Sequence, residues 1–142
     1  MIPAVARAAA PAAIVRPIAV LVIARAALRL AVLERRLPLD VLVEHLREAP
    51  RLRGRLADPR LYPPLVDRML RWLPPHRRLG RCVKRSLLLL ELWSRCGLAP
   101  TFHYGVGHDA DGKRRAHAWL GDVPDDLTAG DPGDGFVETL SV

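Results

Sequence analysis

RCVKRSLLLLELWSRCGLAP, residues 81–100, decides how the rest of the chain is read. From residue 82 to 97 the apolar positions recur at helical spacing, and Gly97 supplies a stop, so the segment reads as one helix. Beyond it the period changes to two. Residues 101–106 (TFHYGV) alternate and carry Phe102 and Tyr104; residues 114–120 (RRAHAWL) return after GHDADGK, whose Asp111-Gly112 is a hairpin signal. A further strand over 136–140 follows the acidic loop GDVPDDLTAGDPGDG. Helices followed by a short run of antiparallel strands make the expected fold α+β, with N-terminal helices packed on a small sheet.

Upstream, residues 1–12 are rich in Ala and Pro and read as a frayed start. A helix over 13–37, broken or bent near Pro17, would bury Val20, Ile23, Ala27, Leu30 and Leu33 and leave Arg25, Arg29 and Arg36 solvated. Asp40 can cap a second helix over 41–48, which stops before Pro50. Residues 49–63 (APRLRGRLADPRLYP) read as a connection with at most short helical turns. A third helix over 65–73 carries Met69 and Trp72 and is closed by Pro74 and Pro75. The expected organisation is one compact domain, with a helical portion over 1–75 and a catalytic core over 76–142; 142 residues suffice for one real core.

The chemistry-bearing residues lie in the second half. Cys82 opens its helix, so backbone N–H groups and the positive end of the helix dipole face the sulfur, an environment that favours thiolate. Ser86, Leu90 and Trp93 share its helix face, which places the helix against the sheet with its N-terminal tip at a cleft. His117 stands between Ala116 and Ala118, small neighbours that leave an imidazole room to act as a base, and Trp119 can wall the site from water. His103, on the neighbouring strand, is the rival base; His45, His76 and His108 read as surface or packing residues. A carboxylate must hold the imidazole tautomer, and six acidic residues follow His117. Asp131, just before the Pro132 turn and the last strand, is the best placed, whereas Asp122, Asp125 and Asp126 read as a solvated loop.

The formal charge of +7 invites a nucleic-acid reading, but Arg and Lys are spread over the chain to residue 115 and no basic run is interleaved with stacking aromatics. Nucleic-acid binding is therefore not expected, and the basic surface suits an acidic peptide or protein. Cys82 and Cys96 are about 21 Å apart along one helix, too far for a disulfide. Without a CxxC pair or a glycine-rich phosphate loop, neither a metal nor a cofactor is expected, and a reducing cytoplasm is the default compartment. The run PIAVLVIA spans only eight residues between Arg16 and Arg25, far short of the ~20 a membrane span needs.

Residues 81–140 resemble the transglutaminase-like cysteine peptidases of lasso-peptide biosynthesis, which remove the leader from a precursor peptide. The matching features are RCVKRSLLLLELWSRCGLAP, FHYGVG, AHAWL and GDPGDGFVETL. The resemblance implies a papain-like core, with Cys82 as nucleophile, His117 as general base and Asp131 as orienting acid. It also implies a precursor peptide as substrate, a small leader-recognition protein supplied in trans, since residues 1–75 lack that domain's strand-rich pattern, and association with a lasso cyclase. Two alternatives stand beside it: acyl transfer to an amine by the same three residues, and a non-catalytic peptide-binding scaffold.

Overall fold

The computed structural model describes residues 12–73, 79–108, 110–127 and 137–142. The first helix, α1 (Ala12–Leu33), runs unbroken through Pro17, which forfeits one backbone hydrogen bond near the helix start. It ends four residues earlier than its apolar pattern suggests. Arg36 N–H and Leu37 N–H both donate to Leu33 O at 2.9 Å, closing the chain into turns ahead of Pro38. The buried row is Ala19, Ile23, Ala26 and Leu30, whereas Val20 is exposed. Because α1 is apolar all round, helical spacing fits two adjacent rows equally well, and only packing against the other helices selects one. Arg29 is only partly solvated: Nη1 lies 3.5 Å from Glu91 Oε1 and Nη2 donates to His45 O at 3.3 Å.

Helix α2 (Leu39–Arg47) starts ahead of Asp40, so that carboxylate sits inside the first turn, where it meets the helix dipole, and does not cap through a side-chain hydrogen bond. Short 3-10 turns at Gly54–Ala57 and Pro59–Leu61 fill the connection as expected. Helix α3 (Tyr62–Trp72) carries Pro63 and Pro64 in its first turn, where their missing N–H groups would have no acceptor within the helix. The buried Tyr62 hydroxyl donates to Leu56 O at 2.6 Å and ties the connection to the core.

Helix α4 (Arg81–Arg95) is the central element, buried without interruption from Ser86 to Ser94. It packs on α1, α2 and α3 on one side and on the sheet on the other. Its end is a Schellman closure: Leu98 N–H donates to Trp93 O at 3.0 Å and Gly97 N–H to Ser94 O at 3.1 Å. That closure needs the left-handed backbone of Gly97, whose φ is +99°. The indole of Trp93, fully buried, donates from Nε1 to Pro59 O at 3.0 Å.

One acid is caught in this core. Glu91 is buried beside Arg29, and desolvation raises its pKa from the ordinary 4.5, with Arg29 and Arg95 opposing. A raised carboxyl pKa means that the folded state binds the proton more tightly than the unfolded one, so this residue's contribution to stability falls as pH rises from about 4.5 toward the raised folded value. Glu91→Gln is therefore expected to flatten the decline in urea midpoint across that window and to be neutral or slightly stabilising at pH 7. A variant whose pH profile parallels the wild type would show that the Arg29 pair fully offsets the burial.

Three strands complete the fold: β1 (Thr101–His108), β2 (Arg114–Gly121) and β3 (Val137–Ser141), ordered β2-β1-β3 and antiparallel throughout. The architecture is α+β, as the change of period at Gly97 implies. Phe102 exchanges both backbone hydrogen bonds with Val142, at 2.7 and 2.9 Å. Since in-plane groups alternate along a strand, residues 103 and 105 must then face β2, pairing with Trp119 and His117. Ala116 and Ala118 consequently turn their N–H and C=O groups outward, along the open edge of β2.

Candidate active site

Two side chains of α4 meet that open edge. Ser86 Oγ donates to Ala118 O at 3.0 Å, and Cys82 Sγ points at Ala116 O at 3.7 Å. The spacing explains the fit: four residues of helix rise about 6 Å, and two residues of strand about 6.6 Å. A Cys and a Ser at i, i+4 on α4 therefore reach alternate outward carbonyls of β2. This docking fixes the helix tip, and with it the sulfur, beside the peptide that joins Ala116 to His117.

Cys82 is the second residue of α4 and follows Gly80, which precedes the helix and has no side chain with which to cap it. The first backbone bond of the helix is Lys84 N–H to Gly80 O at 3.1 Å, so the N–H groups of Arg81, Cys82 and Val83 have no acceptor within the helix. These donors surround the thiol at the positive end of the helix dipole, the environment in which a developing oxyanion is stabilised.

Phe102 and Ala118 are buried toward the core, so His103, Gly105, His117 and Trp119 project from the opposite face of the sheet. There Trp119 lies between two imidazoles. Its ring stacks on His103 with centroids 5.4 Å apart and planes at 9°, and on His117 at 6.0 Å and 20°. The indole also overlies Gly105. A Cβ at that position would stand 3.2 Å from two Trp119 ring atoms and 2.9 Å from Val137 O. Gly105 is thus a notch that admits the ring, and Gly105→Ala should cost about 1–3 kcal/mol by overpacking. The urea midpoint and Trp fluorescence would register the displaced ring; an unchanged emission and midpoint would remove the notch from the argument.

His103, the rival base, has a carboxylate of its own. Its Nδ1 lies 3.1 Å from Glu138 Oε2 and 3.3 Å from Ser141 Oγ. In the sequence Glu138 is only one of the six acidic residues that follow His117; its pairing with Gly105 depends on the register shift between β1 and β3, which no local pattern reveals. Two of the carboxylates read as a solvated loop are engaged: Asp122, at φ +55°, accepts the Thr101 hydroxyl, and Asp126 pairs with Arg60 at 2.6 Å. Asp131 and His76 lie outside the described residues. Cys96, at the other end of α4, is turned toward Leu56 O at 3.8 Å, and burial, then Asp58, pushes its pKa up to about 11 against the pull of Arg95.

The family model of the transglutaminase-like superfamily matches residues 20–139, a span that runs from α1 to β3 and takes in Cys82, the β1–β2 hairpin and His117. No curated protein and no solved structure matches the chain.

Proposed function

The chain belongs to the transglutaminase-like superfamily, and from that premise we propose that it is a cysteine peptidase that removes the leader from a ribosomally made precursor peptide, as in lasso-peptide biosynthesis. The observation that carries the catalytic part is the sulfur of Cys82, held at a helix start 3.7 Å from the carbonyl that precedes His117. The leader-peptidase part rests on the resemblance of residues 81–140.

In this reading His117 takes the Cys82 proton and the thiolate attacks the scissile carbonyl. His117 projects from the sheet face opposite the core while Cys82 Sγ lies at the edge of β2 beside Ala116 O, so in this reading the proton transfer requires the imidazole to turn around that edge toward the sulfur. The Cys82 N–H, free of any helical acceptor, stabilises the tetrahedral oxyanion; removing one such donor typically costs about 3 kcal/mol of barrier. Collapse breaks the C–N bond, His117 returns the proton to the leaving amine, and a thioester remains on Cys82. Water, deprotonated by His117, then hydrolyses it to the leader carboxylate and regenerates the thiol. Asp131 keeps the imidazole in the productive tautomer.

The test is reconstitution with a precursor peptide and a leader-recognition protein taken from the neighbouring reading frames. Mass spectrometry should find one bond hydrolysed, the two fragments together heavier than the precursor by one water. The partner should raise the rate strongly, because positioning a scissile bond is worth up to about 7–11 kcal/mol in the best intramolecular cases. Full activity of the chain alone would remove the partner from the reading. A fragment joined to an added amine in place of water would convert the peptidase to an acyl transferase.

A further inference from the structure

We infer that the groove between α1 and α3 is a docking site for an acidic amphipathic helix of a partner protein. The groove encloses about 480 Å³ and has an apolar floor of Val20, Ile23, Leu65 and Met69. A second apolar hollow of about 370 Å³ shares Met69 and continues between Leu28, Ala31 and Leu73. Trp72, which lines the first groove, is 84% exposed, and Leu28, which lines the second hollow, is 68% exposed. An indole and a leucine so far into water along two hollows that share Met69 mark an interaction surface rather than the scattered apolar exposure of ordinary surfaces.

Charge selects the occupant. Arg16, Arg68 and Arg71 border the groove and the shallow hollow beside it. All three are exposed, and none forms an ion pair with a carboxylate among the described residues. The nearest acid in sequence, Asp67, is held by Arg85 through two hydrogen bonds of 2.5 and 3.0 Å, and so does not neutralise them. A second copy of this face would bring like charges together. Residues 1–11 carry Arg7 and no carboxylate, so they do not complement the rim either. A concave channel between two helices suits a helix laid into it, with apolar residues at i, i+3, i+4 and i+7 on the floor and carboxylates toward the arginines, better than it suits a lipid surface.

The site rests on the proposed function only in assigning the helix to the protein that presents the substrate; its own test reads binding and no turnover. Two fluorescent 18-residue helical peptides with one Leu/Ala pattern, one bearing Glu and the other Lys on the polar face, are titrated into the Cys82→Ala chain. The Glu peptide should bind at least tenfold more tightly. Its affinity should fall at least tenfold in an Arg16→Glu/Arg68→Glu/Arg71→Glu variant and again in Val20→Asp, each checked for folding by circular dichroism. Equal affinity for the two peptides, or indifference to both variants, would overturn the site. So would co-sedimentation with phosphatidylglycerol vesicles showing the same residue dependence without peptide binding, or a dimer abolished by Val20→Asp. Because the nucleophile is absent from every variant, failure here leaves the peptidase reading intact, and loss of peptidase activity elsewhere leaves this site intact.

Discussion

Cys82→Ala should lower leader removal by roughly 10⁴-fold or more, the scale on which a catalytic nucleophile is lost, while Cys96→Ala retains most of the activity. The two thiols occupy opposite ends of α4 and meet opposite chemistry. Cys82 sits among backbone N–H groups without helical acceptors, at the edge of β2. Cys96 caps the other end, near the negative pole of the dipole, and its pKa is pushed up to about 11. At pH 7 a thiol of that pKa is ~10⁻⁴ ionised against a few per cent for a free cysteine, a deficit of roughly a few hundredfold that the greater nucleophilicity of a basic thiolate only partly offsets. Brief iodoacetamide treatment should therefore leave Cys96 at least tenfold behind a free cysteine, and loss of activity should track alkylation of Cys82. Equal turnover by wild type and Cys82→Ala, with precursor and partner present, would end the thiol mechanism and favour the non-catalytic scaffold.

The elements legible from sequence were those whose local signals agree with their packing. In α4, the Leu run, the Gly97 stop and the switch to alternation at Thr101 all point one way, and the structure differs only by a residue or two at the ends. The hairpin followed from Asp111-Gly112. Helix α1 was harder to read, because apolar residues on every side leave the buried row undetermined by one position, and because Arg29 is drawn inward by Glu91, a residue 62 positions away. Among the candidate site residues, position and neighbours are what single out Cys82 and His117. Ser86 carried a usable signal, a hydroxyl four residues after the cysteine and directly ahead of the leucine run. The Trp119 notch at Gly105 and the His103–Glu138 pair had none, since both arise from strand register.

Asp131→Asn should cost about 10⁴ in turnover while leaving the fold intact, the effect of the matching change in a serine-protease triad, where an amide stabilises the wrong imidazole tautomer. Three of the competing carboxylates are engaged by other groups. Asp122 is bound to the Thr101 hydroxyl on a backbone at φ +55°, Asp126 to Arg60, and Glu138 to His103. Asp122→Ala and Asp126→Ala remove exposed contacts worth about 0–1 kcal/mol, so each should change turnover by less than tenfold. Glu138→Gln discriminates more sharply. With His117 as base, the change leaves the pH dependence of kcat unmoved, because Glu138 orients an imidazole that takes no proton in the reaction. A large loss in Glu138→Gln together with near-normal turnover in Asp131→Asn would transfer the base to His103, across the indole of Trp119, and the match of GDPGDGFVETL to the lasso-peptide peptidases would then be coincidental.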